Sequence, residues 1–443
     1  MGRNRRGDHG ETAHTEKGAE FSAWREPEGV KQSNTFRKKR LPHSAMKILY
    51  ITEIYPDPAT GIGYWGGGER QFYEISRRMS KSGHDVTVLT CRFPPETDCG
   101  TLDGVTVKRS GMTRNPKTGT ALASPYMLVK YIVTTVRQAL KIECDLIHCN
   151  AYFPVIAGRI AASIKRCPVV STFHDVPGPD VWKDYSGSTL WGWLGYLSTV
   201  FSLHCANGPI IGVSEQTAKK IHILRRGNVV VVPNGVDLQL FNHSPGARRE
   251  GQILYVGRLV SYKRVGKLIE AFGEVVHRMP EARLVIVGEG PERHSLERLA
   301  ELTAAGRITF AGTVPSHERV AELYRQSSLF VLPSVVEGEG ITLKEAMAAM
   351  LPVVTVKATG SGVQSVVKDG WNGALVERGD PHSMAMAIIG LLENRQTRQA
   401  MGRNGRSLVE SWTWNDVSRR TLEVYKSVLG GTPLMADGRV PEN

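Results

Sequence analysis

Two glutamates eight positions apart, Glu337 and Glu345, mark the stretch LPSVVEGEGITLKEAMAAMLPVV as a place where chemistry can happen. Glu337 follows an apolar run, Leu329 to Leu332, that reads as a strand. Glu345 falls on the helix that opens at Ile341 and Thr342, with Gly338 and Gly340 in between. A glycine-opened helix start offers free backbone N–H groups to an anion. The spacing therefore suits a phosphate at those amides, a polar ligand head at one carboxylate and a vicinal diol at the other. The plain alternative is a capped helix carrying two surface glutamates.

Two further clusters bear on phosphate. In YVGRLVSYKRV, Arg258 comes just after a strand and Lys263 at the start of the next helix. Such a pair can clamp a diphosphate and neutralise the charge of a departing phosphate; two solvated surface cations would read the same way. In GYWGGGERQF, Gly66, Gly67 and Gly68 open another helix, which fits either a close approach to an anion or a tight turn with no ligand.

The elements that carry these residues alternate short Val/Ile/Leu runs with helical patterns. The first half offers KILYITEI (Lys47 to Ile54), DVTVLT, DLIHCN, PVVSTF, PIIGVS and NVVVVP. The second offers QILYVG, ARLVIVG, RITFAG, LFVLPS and PVVTV, separated by amphipathic stretches such as KRVGKLIEAFGEVVHRM. Continuous apolar strands are expected where helices cover both sheet faces, so each half reads as a parallel α/β sheet. Two such domains facing each other hold a ligand in the cleft at their strand ends. The expected divisions are a basic extension over 1–45, a first domain over 46–233, and a polar linker over 234–251. A second domain over 252–412, a helix over 413–430 and a loose tail over 431–443 complete the chain.

Composition narrows the class. The 443 residues are 41% hydrophobic and 22% charged, which suits a globular chain rather than a disordered one. The formal charge of +13 suits an anionic ligand or membrane surface. Neither an aromatic RNA-binding signature nor a zinc-finger spacing accompanies it, so nucleic acid is not expected as a partner. Six cysteines in no CxxC spacing read as reduced thiols of a cytosolic protein, not as a metal site. The polar N-terminus lacks the apolar core of a secretory signal. From Tyr185 to Ser214 there is no Asp, Glu, Lys or Arg, yet Gly, Ser, Thr and Pro interrupt the run. A buried helix, a helix dipping into a bilayer interface and a membrane span are the three readings.

From Met46 to Leu429 the chain resembles the GT-B fold glycosyltransferases, specifically glycosyltransferase family 4, also called glycosyl transferases group 1. The resemblance is densest in VGRLVSYKRVGKLIEAF, LVIVGEGPERHSLERL, LYRQSSLFVLPSVVEGEGITLKEAMA and VVKDGWNGALVERGD, and looser in GGGER, HCN, TFHD and IIGVSE. It implies two facing Rossmann-like domains with parallel sheets and an interdomain cleft. It further implies transfer of a sugar from a nucleoside diphosphate sugar to an acceptor hydroxyl with retained anomeric configuration. Arg258 and Lys263 would hold the donor pyrophosphate, with the Gly340, Ile341 and Thr342 amides in support. Glu337 would touch the donor sugar and Glu345 the ribose hydroxyls. His174, in TFHD, would lie against the sugar, and Gly67 and Gly68 against the phosphate. The final helix would cross back onto the first domain.

The resemblance also sets further expectations. No DxD occurs, so leaving-group charge would fall to Arg258, Lys263 and helix N-termini, with no metal and no cofactor beyond the nucleotide-sugar co-substrate. Acceptors would be a glycan or a lipid-linked sugar in glycan or polysaccharide synthesis. The protein would be cytoplasmic, with peripheral contact to an anionic membrane at its inner face. Three motifs depart from the family pattern. Glu339 stands where an aromatic is usual beside the sugar, Met350 where glycine is usual, and GSGVQS keeps Gly362 while Ser361 and Ser365 replace glycine and glutamate. The EGEG and GSGVQS departures are the support for the competing reading, an inactive GT-B module that only binds nucleotide sugar; a nucleotide-sugar epimerase is another competitor.

Overall fold

The computed structural model describes residues 45–57, 66–92, 99–113, 125–242, 248–314, 316–358 and 360–431. The extension over 1–44, the tail beyond 431 and the residues just before Gly66 lie outside that set.

Among these residues the first sheet has eight strands. They are β1 (Lys47–Ile51), β2 (Asp85–Arg92), β3 (Cys99–Leu102), β4 (Val105–Thr113), β5 (Leu146–Asn150), β6 (Val169–Phe173), β7 (Ile210–Gly212) and β8 (Val229–Val231). Their order is β3-β4-β2-β1-β5-β6-β7-β8, parallel except for the β3–β4 hairpin. The helices between them are α1 (Gly67–Lys81), α2 (Pro125–Leu140), α3 (Phe153–Lys165), α4 (Pro179–Ser186), α5 (Thr189–Cys205) and α6 (Glu215–Leu224).

The second sheet is wholly parallel. It contains β9 (Gln252–Val256), β10 (Arg283–Val287), β11 (Ile308–Gly312), β12 (Leu329–Leu332), β13 (Val353–Val356) and β14 (Gly373–Val376), in the order β11-β10-β9-β12-β13-β14. Its helices are α7 (Val265–Arg278), α8 (Arg293–Ala304), α9 (His317–Gln326), α10 (Ile341–Ala348), α11 (Pro381–Glu393) and α12 (Arg395–Val409). The strand order reverses between β1 and β5 in one sheet and between β9 and β12 in the other. Loops leaving those strands diverge and open a crevice, the usual ligand position in open α/β sheets. Gly67, Arg258 and Glu337 all follow such strands.

The last helix, α13 (Trp414–Gly430), returns to the first sheet. Its Trp414, Val417, Val424 and Tyr425 join the core that contains Ile48, Tyr50 and Phe72. A buried polar chain fixes the docking. The hydroxyls of Tyr425 and Tyr50 are 2.8 Å apart, Tyr425 meets His148 Nδ1 at 2.6 Å, and His148 Nε2 meets the Thr172 hydroxyl at 2.7 Å. Burial pushes His148 down to about 3, so it sits there neutral.

The structure differs from the sequence reading in three places. The β3–β4 hairpin and α2 were not anticipated. Asp103 (φ 48°) and Gly104 (φ 79°) form the two-residue turn of the hairpin, and a DG pair between alternating residues is its sequence signal. Helix α7 begins at Val265 rather than Lys263, because Arg264 adopts a left-handed φ of 54° after a 3-10 turn over Ser261–Lys263.

The third difference concerns α5. It buries Gly192, Thr199, Ser202 and Leu203, while Leu190, Trp191, Trp193, Leu194, Leu197 and Phe201 are 44–68% exposed. The small residues face inward for a steric reason: a Cβ added at Gly195 would lie 2.6 Å from the Trp182 ring of α4. The core-helix reading of this stretch is therefore corrected. No helix of the described residues is long and apolar enough to cross a membrane.

Candidate active site

The loop from β12 into α10 brings its residues to the crevice by backbone geometry. Gly340 caps the helix with φ 86°, and no side chain caps the helix start. Only glycine takes that conformation without strain, so the amides of Ile341 and Thr342 stay at the end of α10 without a side-chain acceptor. The Leu343 amide bonds back to the Gly340 carbonyl at 3.0 Å. The helix dipole adds partial positive charge at this point.

The cations arrive from the loop after β9. The Val335 amide donates to the Tyr262 carbonyl at 3.2 Å, joining that loop to the one carrying Glu337. Lys263 Nζ contacts Glu337 Oε1 at 2.5 Å, and both side chains are largely buried. Arg258, exposed at the strand end, donates from Nη2 to the Tyr262 hydroxyl at 2.8 Å. The sequence-predicted cations and the first glutamate thus form one cluster.

Glu345 lies deeper. The Tyr324 hydroxyl donates to its Oε2 at 3.1 Å, and His317 Nε2 is 3.6 Å from its Oε1. Burial raises its carboxyl to about 7, and the charge of Arg70, reaching from α1 of the first domain, pulls the other way. Burial pushes His317 down to about 3, so that neighbour is neutral and does not hold Glu345 ionised. His317, Tyr324 and Arg70 were missed by sequence reasoning. The signals available were a histidine at the first position of a helix after a strand end, in SHERVAELY, and a cation directly behind GGGE.

The first domain closes the crevice. His174 follows β6, and its Nε2 lies 2.9 Å from the Asn150 side-chain oxygen. The Asn150 amide donates in turn to the Thr52 hydroxyl at 3.2 Å. With Nε2 donating, the other ring nitrogen, Nδ1, is the unprotonated one. Surrounding protein pushes this histidine down to about 4, so it is neutral near pH 7. Asn150, from HCN, is a positioning residue that the sequence reading quoted but did not assign.

Contacts across the crevice are tight. A Cβ at Gly67 would lie 3.0 Å from Ile341 of the second domain, while within the first domain one at Gly68 would lie 2.8 Å from the His174 ring. A Cβ at Gly338 would fall 1.7 Å from the His174 carbonyl oxygen, so the two domains meet backbone to backbone there. The Ser214 hydroxyl donates to the Gly338 carbonyl at 2.6 Å across the same seam. Gly67 and His174 of the first domain thus meet Ile341 and the Gly338 loop of the second along this seam.

The departures from the family pattern acquire structural meaning. Glu339 points away from the crevice, buried against Lys344 and Asn234, so its placement beside the sugar is corrected. The Gly362 amide donates to the Glu337 carbonyl at 2.8 Å, and a Cβ there would lie 1.9 Å from the Gly338 carbonyl oxygen, which accounts for glycine at that position. The Ser365 hydroxyl donates to the Gly362 carbonyl at 2.6 Å and rigidifies the support. Met350 carries the left-handed φ of 56° that glycine would take more easily, and its carbonyl accepts from Arg248 at 2.7 Å.

Comparison with known proteins decides the family. Residues 65–240 match the model described as Glycosyltransferase Family 4, and residues 240–408 match Glycosyl transferases group 1. The chain belongs to glycosyltransferase family 4. This transferase is 27% identical to the phosphatidyl-myo-inositol mannosyltransferase of Mycolicibacterium smegmatis, over 82% of the chain and 91% of the relative. Its fold is GT-B, shared with sucrose-phosphate synthase from Thermosynechococcus elongatus at a TM-score of 0.73, 23% identity, and coverage of 87% and 100%. An Anabaena protein solved in complex with UDP-glucose is similar at a TM-score of 0.67 and 20% identity, covering 86% of the transferase and all of that chain.

Proposed function

We propose that this transferase moves a hexosyl unit from a nucleoside diphosphate sugar to an acceptor hydroxyl with retention at the anomeric carbon. The observation that carries this reading is the Lys263–Glu337 pair beside the capless start of α10. Arg258, Lys263 and the Ile341 and Thr342 amides would take the diphosphate and stabilise it as it leaves, supplying charge without a metal or further cofactor. Glu345 would accept hydrogen bonds from the ribose diol, and neutral His174, held by Asn150, would line the sugar. The carboxylates flanking the seam, Glu337 and Asp175, are each bound by a lysine, Asp175 by Lys220 at 2.7 Å. That pairing disfavours a carboxylate nucleophile and supports attack by the acceptor on the face that the diphosphate leaves. The Anabaena neighbour's UDP-glucose makes UDP-sugars the first donors to test.

The test is a panel of UDP-, GDP- and ADP-sugars scored by thermal shift and donor turnover. One nucleotide class should stabilise the protein by about 3 kcal/mol at 100 times its Kd and be consumed. A panel that neither stabilises the protein nor is consumed would overturn the donor assignment.

The acceptor side favours a lipid-linked sugar. The six large residues exposed on α5 form an apolar face with two tryptophans. Exposed cations stand on helices of the same domain, Lys130 and Arg137 on α2 and Lys183 on α4. Apolar insertion with flanking cations is the chemistry of peripheral attachment to an anionic bilayer, each cation contributing about 1 kcal/mol. The transferase should co-sediment with anionic vesicles at low salt and release at high salt. Trp191→Ser with Trp193→Ser should abolish that binding without altering the thermal midpoint. Absence of binding at low salt would leave a soluble acceptor.

A further inference from the structure

A second set of charges lies behind the same loop, facing away from the crevice. Glu339, Lys344 and Asn234 are 4%, 0% and 3% exposed. Glu339 Oε2 accepts from the Asn234 backbone amide at 2.7 Å and from its side-chain amide at 2.8 Å. Lys344 Nζ donates to the Asn234 carbonyl at 2.6 Å and to Glu339 Oε1. The peptide groups of Asn234 are thus bound by side chains of the β12–α10 segment.

Asn234 stands where the chain first crosses from one domain to the other. The second crossing lies against it. The Val236 amide donates to the Trp412 carbonyl at 2.9 Å, Val236 bridges to Thr413, and Gly235 has no room for a Cβ, which would lie 2.6 Å from the Trp414 nitrogen. Lys344 Nζ also sits 4.3 Å from the centre of the Trp412 ring. Both crossings are therefore tied to one buried ion pair.

The same short segment carries the donor wall. Glu337 and Glu345 turn toward the crevice and its flank, whereas Glu339 and Lys344 turn toward the crossings. A buried pair of opposite charges cannot be pulled apart cheaply, because each ion would be left desolvated and unpaired. Replacing both ions with apolar groups of similar size is often neutral or stabilising, so stability alone gives no reason to keep them.

We propose that Glu339 and Lys344 are positioning residues that couple the interdomain hinge to the donor loop, so that closure of the crevice and placement of Glu337 and the α10 amides occur together. The chemistry part of this inference rests on the donor-site reading above; the mechanical part does not. Hinges are a few residues at element ends that absorb the backbone change, and residues 232–236 and 412–414 meet that description. Their motion would pass to residues 334–343 through the pair.

Hydrogen exchange and kinetics on the full chain test this. Glu339→Gln should raise exchange at 232–237 and 334–343 together by about tenfold or more, leaving β1 and residues 418–430 of α13 unchanged, since local opening is separable from global unfolding. The double variant Glu339→Gln/Lys344→Met removes the charges with little change in shape. It should keep the wild-type thermal midpoint and still show the paired exchange increase. With UDP-glucose as the probe donor, its kcat should fall at least about tenfold while KM changes less, the signature of a lost closed-state arrangement. Exchange rising uniformly over the whole second domain, or a stable double variant with wild-type exchange at both segments, would overturn the coupling. If UDP-glucose is not turned over even by the wild type, the nucleotide-sugar panel decides the donor reading separately and the exchange result alone decides the coupling.

Discussion

Alanine at Lys263 is expected to lower kcat/KM for the donor by about 10²–10³-fold, corresponding to about 2–4 kcal/mol of transition-state stabilisation. Lys263 has two jobs in the structure. It would face the proposed diphosphate position at the start of α10, and it pairs with Glu337 at 2.5 Å. Removing it loses the charge that meets the departing phosphate and also leaves a largely buried carboxylate repelling the donor. Arg258 is exposed, whereas Lys263 is largely buried, so Arg258→Ala should fall at the lower end of the same range. Lys267→Ala is the control. Its pair with Glu270 lies on the outer face of α7 and is worth little. Steady-state kinetics on the three variants check the result, and near-wild-type values at both Arg258 and Lys263 would remove them from the donor site.

The parts of this site legible in the sequence are those whose chemistry is local. Glu337, Gly340 and Glu345 lie within one loop and one helix, so helical spacing and a glycine cap suffice to relate them. Arg258 and Lys263 follow a strand end in the same way. What could not be read locally is which way a side chain turns. Glu339 has the same strand-end context as Glu337 two residues earlier, and only the domain crossing at Asn234 draws it to the opposite side. His317 and Tyr324 reach Glu345 from another helix, and Arg70 acts on it from another domain; no sequence spacing encodes such distances. The fold divides similarly. Apolar parallel strands announce themselves, whereas β3 is short and largely exposed. Helix α5 misleads because its apolar residues face outward, packed inward through Gly192 and Gly195.

The two glutamates should separate kinetically. Glu337→Gln keeps the shape but strips the charge that holds Lys263, so Lys263 can collapse onto the diphosphate of bound donor and the sugar loses its contact. The interaction is realised as charge redistributes in the transition state, and kcat should fall by about 10²-fold. Glu345→Gln should instead raise donor KM by about tenfold with kcat little changed, because a ribose contact binds ground and transition states alike. The pH dependence tests the second half independently. Burial lifts Glu345 to about 7, so the acceptor form of the carboxylate grows in between about pH 6 and 8. Donor KM should therefore fall as pH rises through that window, and Glu345→Gln should flatten the profile. Stability runs the other way. The folded value lies above the unfolded one near 4.3, so the unfolded chain releases this proton first, and the contribution of Glu345 to stability is lost as pH rises from about 4.5 to about 7. Glu345→Gln should accordingly gain thermal stability over wild type at pH 8 but not at pH 4. A variant that lowers kcat at Glu345 and leaves the KM–pH profile unchanged would reverse the roles assigned to the two carboxylates.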